Sequence, residues 1–218
     1  ANQSALPGGR LNGRGGDDTL IGSNAAEELS GGTGADQMTG FGGDDTYFID
    51  NLGDNIVEGP AGGTDSAQVL IQRFALDVTD DIERLLLDNS VIGGELIGNS
   101  LDQTVQGAGG DDTLEGGLGA DTYIGEGGFD RVTYRNATAG VAIDLTLPAQ
   151  QGGEAQGDTY TSIEEIEGSA HGDTLSGDGL GNSLIGLAGQ DVISGHDGDD
   201  DLFGGADNDT LKGGQGAD

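Results

Sequence analysis

Along most of the chain, one apolar residue stands alone every nine positions. The clearest runs are Leu20, Leu29, Met38 and Tyr47; then Leu114, Tyr123 and Val132; then Leu175, Leu184, Ile193, Leu202 and Leu211. Glycine and acidic residues fill the intervals. A spacing of nine matches neither the 3.6-residue period of a helix nor sustained alternation along a strand. It predicts a short x-U-x strand with one side chain pointing inward, followed by a turn. Glycine-rich turns suit positions whose backbone needs φ > 0. Two such units complete one coil with strands on two opposite walls. Units eighteen residues apart then stack on the same side as parallel strands.

The stretch 107–133 sets the frame, reading GAGGDDTLE, GGLGADTYI, GEGGFDRVT. Each unit opens on glycine, carries an acid at its sixth position (Asp112, Asp121, Asp130) and the apolar residue at its eighth. In this frame residues 1–12 form a poor leading coil and 13–57 a first repeat block, with Asp18, Glu27, Asp36 and Asp45 at position six and Asp54 in fainter register. Residues 58–97 are a first spacer, whose apolar runs predict longer strands covering the solenoid, with a helical turn as an alternative at IERLLL. A second block spans 98–133, with Gln103 at position six of its first full unit. A second spacer covers 134–167, with the strand-like segment 141–147 and Glu164 and Ile166 back in register. A third block, 168–218, carries Asp173, Asn182, Asp191, Asp200, Asp209 and Asp218. Its last unit stops before its own apolar residue, and the first ten residues show neither an initiator Met nor a signal-peptide pattern. Both features predict a fragment or a mature chain.

Composition sharpens this picture. Of 218 residues, 46 are glycine, 33% are apolar and 4% aromatic, which argues against long helices and an ordinary core. Without the periodicity the chain would read as a disordered acidic tract; the internal repeat overrides that reading. The balance of 40 acidic against 7 basic residues, a formal charge of -33, argues against nucleic acid and anionic lipid as partners. No apolar run approaches the roughly 18 residues of a membrane-spanning helix. The absence of cysteine excludes disulfides and thiolate metal sites.

Stacked strands lie about 4.8 Å apart. Position-six carboxylates on same-side turns would therefore repel by roughly 3 kcal/mol per pair at an effective dielectric near 20. A cation between the turns removes that conflict. Half the stacking distance, about 2.4 Å, falls within the range of calcium–oxygen bonds. Magnesium wants shorter bonds and retained water, and zinc wants His or Cys. His171 and His196 stand alone in turns and read as surface residues. Calcium, as several ions, is the expected cofactor.

The unit GGLGADTYI (116–124) matches the pattern G-G-x-G-x-D-x-U-x, and the chain resembles the RTX (repeats-in-toxin, haemolysin-type) calcium-binding region of bacterial proteins exported by type I secretion. The resemblance implies an all-β fold: a right-handed parallel β-roll, or β-solenoid, with two nonapeptides per coil and two interrupting spacers. It also implies calcium held by turn carbonyls together with Asp18, Asp36, Asp45, Asp112, Asp121, Asp130, Asp173, Asp191, Asp200, Asp209 and Asp218. Same-side pairing predicts sites between Asp18 and Asp36, Asp112 and Asp130, Asp173 and Asp191, Asp191 and Asp209, and Asp200 and Asp218. Glu27, Gln103 and Asn182 depart from the pattern and predict weak or empty sites.

Other readings of these residues fall away. The neighbouring acids Asp17, Asp44, Asp111 and Asp199 resemble catalytic pairs but alternate outward on an extended backbone. The run 197–202 imitates an EF-hand but lacks its glycine and glutamate. Asn136 lies in a glycosylation sequon by spelling only. No catalytic motif is present, so the expectation is a non-enzymatic, calcium-binding structural module; the resemblance implies that it folds outside the cell, in a secreted or cell-surface bacterial protein. A calcium-dependent adhesin or surface-layer segment, and the RTX tail of an exported protease, lipase or epimerase, stay open as alternatives. So does self-association, or docking on neighbouring domains of a larger parent protein.

Overall fold

A computed structural model describes residues 2–4, 8–60, 62–150 and 152–218. Among them, 23 short parallel strands wind into about eleven coils, with a single 3-10 turn at Gly153–Ala155. Strands alternate between two walls. One wall carries a four-stranded sheet running from Asn2–Ser4 to Asn55–Ile56, and then a seven-stranded sheet from Arg73–Ala75 to Asp201–Phe203. The other carries eight strands from Arg10–Asn12 to Thr159–Thr161, and four more, Ala142–Asp144, Thr174–Ser176, Val192–Asp197 and Thr210–Gln215.

Register follows the apolar spacing. Leu11, Leu29, Tyr47, Ala67, Leu85, Val105, Tyr123 and Tyr160 stand above one another on one wall. Phe74, Leu96, Leu114, Val132, Ile166, Leu184 and Leu202 do so on the other. Nearly all are fully buried, so the core is a double column of inward side chains. A strand that buries only its middle residue cannot hold itself; each coil is stable because its neighbours cover it.

The first spacer does not cover the solenoid. Its strands Ser66–Val69 and Arg84–Leu87 are coils within it, in register with Thr46–Ile49. The segment IERLLL is extended rather than helical, because Leu85 and Leu87 alternate inward. In the second spacer, chain order and stacking order are crossed. Thr159–Thr161 pairs with Thr122–Ile124, whereas the earlier strand Ala142–Asp144 pairs with the later Thr174–Ser176. Residues 1 and 5–7 of the leading segment lie outside the described residues.

Candidate metal centre

Within the repeat blocks each turn carries a position-six residue, and these residues form columns. The main-chain N–H of one donates to the side-chain oxygen of the next along the column. This links Asp18 to Asp36 (2.7 Å), Asp112 to Asp130 (2.8 Å), Asp173 to Asp191 (2.8 Å), Asp191 to Asp209 (3.1 Å) and Asp200 to Asp218 (3.2 Å). All five same-side pairs are thus adjacent, joined through one carboxylate oxygen, Oδ1. Asp18, Asp36, Asp45, Asp112, Asp121, Asp130, Asp173, Asp191 and Asp200 are buried, while Asp209 is half-buried and Asp218 exposed in the last coils. The position-five acids Asp17, Asp44, Asp102, Asp111 and Asp199 are exposed, and each accepts an N–H from the next coil.

The second oxygen, Oδ2, divides the turns into two kinds. At Asp112 and Asp173 it accepts the N–H of position two, from Ala108 (2.8 Å) and Ser169 (2.7 Å). At Asp36, Asp45, Asp121, Asp130, Asp191 and Asp200 it is buried with no hydrogen-bond partner. The difference lies in the backbone. Position two is left-handed in those six turns (Gly32, Phe41, Gly117, Glu126, Leu187 and His196, with φ between 71 and 101°) and not at Ala108 or Ser169. A left-handed residue turns its N–H away from the carboxylate. Four of the six are not glycine, a conformation that costs such residues on the order of 1 kcal/mol.

The departures from the pattern satisfy themselves. Gln103 accepts from Asn99 N and donates its amide to the Ile82 carbonyl (2.6 Å), and Asn182 accepts from Asp178 N. Burial would push Glu27 up, but hydrogen bonds from the Ser23 side chain and from Ser23 and Gly8 N–H hold it below the usual carboxylate range. Burial, reinforced by neighbouring acids, pushes Asp121 to about 7 and Asp45 and Asp130 to about 6.

Both spacers carry the columns onward, through Asp65, Glu83 and Asp158, which the nonapeptide frame does not reach, and through Glu164, which it does. Asp65 accepts from Asp45 N, Glu83 from Asp65 N, Asp158 from Asp121 N and Glu164 from Asp130 N. Each opens an acid-x-apolar triplet (Asp65-Ser66-Ala67, Glu83-Arg84-Leu85, Asp158-Thr159-Tyr160), which is the signal that could have found the first three. Asp158 also takes the Tyr134 hydroxyl, beside a packed Tyr123–Tyr160 pair.

These turns suit a hard cation. A Cβ on Gly107 or Gly186 would collide with Oδ2 of its own Asp and with the carbonyl of the glycine one coil on, Gly125 or Gly204. Position one must therefore be glycine, and the oxygens gathered around it are the donors that calcium takes. Among the described residues no three His, Asp or Glu side chains converge as a metal cluster. The carboxylates are strung one per turn, so further ligands would come from the main chain. The model of the RTX calcium-binding nonapeptide repeat (4 copies) matches residues 10–26, 21–51, 97–132, 176–211 and 197–218, together more than half of the chain. No curated protein matches it. With its repeat, its coil and its oxygen-lined turns, the chain belongs to the RTX calcium-binding nonapeptide repeat family and is a calcium-binding structural module.

Proposed function

We propose that this module belongs to a secreted or cell-surface bacterial protein and folds outside the cell, where calcium is plentiful. The observation that carries the reading is the set of buried, partnerless Oδ2 atoms, one per open turn. A buried carboxylate oxygen without a donor costs several kcal/mol if it stays charged. Inside a calcium-poor cell that cost keeps the coils apart; bound calcium supplies the missing positive charge, and its binding energy becomes folding energy. The ligands are the position-six carboxylates named above. Asp36, Asp45, Asp121, Asp130, Asp191 and Asp200, in open turns, bind more tightly than Asp112 and Asp173, whose Oδ2 is already engaged. Affinity falls in the extracellular range of about 10⁻⁴–10⁻³ M, tightened by coupling between stacked coils.

Circular dichroism tests the reading. Strand signal should collapse in chelator and return with calcium; a signal indifferent to chelation removes the mechanism. The β-roll is a structural fold, and catalysis is not assigned to it.

A further inference from the structure

One wall of the roll is split. Its four-stranded sheet stops at Asn55–Ile56 and its seven-stranded sheet starts at Arg73–Ala75, although these two strands follow one another on that wall. The opposite wall runs unbroken past the same place, through Thr46–Ile49, Ser66–Val69 and Arg84–Leu87. Across the split most Cα–Cα distances exceed 8 Å. Paired strands lie about 4.8 Å apart, so the split leaves room for one more strand.

Both edges of the split are open main chain. Asn55 and Val57 donate to the carbonyls of Asp36 and Met38 in the preceding strand, so Ile56, between them, turns its N–H and C=O toward the split. On the far edge the Gln72 carbonyl accepts from Glu95 N, and Leu76 N donates to the Ile97 carbonyl. Arg73 and Ala75 alternate with these groups and face the split instead. A cavity of about 420 Å³ lies between the edges, lined by Ile56 and Phe74 and bordered by Asp54, Asp77 and Asp80. Asp54 and Asp80 are buried. No ion pair among the described residues involves any of the three acids, and the one arginine at the cavity, Arg73, is already held by Glu95 (2.7 Å). An open edge is a template for an added strand, and acids without a basic partner select a basic one.

We propose that the split takes an extended basic peptide as an added strand. One apolar side chain of the peptide turns inward between Ile56 and Phe74, and Lys or Arg on either side of it reach Asp54, Asp77 and Asp80. Fluorescence anisotropy of a labelled Lys-Val-Lys-Val-Lys peptide, titrated with the full chain in millimolar calcium, tests it. The acidic counterpart Glu-Val-Glu-Val-Glu should not bind. Methylating the main-chain nitrogens of the basic peptide keeps its charge but removes its N–H donors, and should weaken binding about 10-fold or more. Ala75→Pro removes an N–H that faces the split and holds no ladder bond, so its strand signal in calcium should match the wild type. Its affinity for the peptide should fall about 5-fold. Equal binding of the methylated and unmethylated peptides reveals charge attraction alone and overturns the added strand, as does a basic peptide that does not bind. Wild-type affinity in a folded Ala75→Pro places the peptide elsewhere and overturns the site. Should that variant fail to fold, Asp77→Lys, at an exposed side chain, takes its place, and unchanged affinity there has the same force.

Discussion

Asp130→Asn should make the calcium-free chain more stable and the calcium-bound chain less so. Asp130 is fully buried between Asp112 and Glu164 in its column. Same-side turns about 5 Å apart repel by roughly 3 kcal/mol per pair at an effective dielectric near 20. Removing the middle charge relieves two such pairs, about 6 kcal/mol before any rearrangement. The amide also gains a bond. A Cβ on Gly125 would collide with both Asp130 Oδ2 and the Ser162 carbonyl oxygen, so these two oxygens face one small space. An Asn nitrogen there can donate to Ser162, as Gln103 already donates to Ile82. With calcium the same change removes an anionic ligand and should raise the calcium midpoint on the order of 10-fold or more. Circular dichroism at pH 8 reads both signs, through the residual strand signal in chelator and the midpoint of a calcium titration. An Asn variant with no more strand signal than the wild type in chelator, or one with an unchanged calcium midpoint, refutes the reasoning.

Acid should partly replace calcium. Burial raises Asp45, Asp130 and Asp158 to about 6 and Asp65 and Asp121 to about 7, so the coiled state binds protons more tightly than the open chain. Stability in chelator is then fullest below about pH 4, the unfolded carboxylate range, and is lost as pH rises through 6–7; a chelated chain that gains strand signal over that rise contradicts the burial argument. Asp130→Ala should shift the calcium midpoint more than Asp102→Ala, since the exposed Asp102 only caps Ala120 N; equal midpoints count against the frame. Gly31→Ala would drive a methyl into the Asp36 carboxylate, whereas Gly109→Ala meets nothing within 4 Å. Thermal melts in calcium should fall for the first and stay near wild type for the second, and equal losses would disprove the cradle.

The walls were legible because one apolar residue per nine can be buried only by winding, and Leu96, Leu114 and Val132 stack as that arithmetic requires. The columns were legible only where glycine marked the turn. Asp45 reaches Asp65 over 20 residues, and Asp121 reaches Asp158 over 37, so insertions in the loops shift these acids out of the frame without moving them in space. The split between open and closed turns lay beyond the sequence. Phe41, Leu187 and His196 adopt left-handed backbone that their side chains disfavour, imposed by stacked neighbours rather than by local preference. The reach of the Tyr47 hydroxyl to Glu58 was equally hidden, since at position eight Tyr reads as core.

The crossed stacking of the second spacer constrains how the molecule can assemble. In a repeat array each new layer is templated by its predecessor, so a growing end normally advances in the order in which the chain emerges. Ala142–Asp144 has no strand to dock on until Thr174–Ser176 has been laid down. Growth from the N-terminal side must pass over residues 142–158, seat Thr159–Thr161 on Thr122–Ile124, and return for the skipped strand later. In that direction the roll zips in two strokes, with a loop left waiting at the joint, whereas growth from the C-terminal side finds Thr174–Ser176 already in place for Ala142–Asp144.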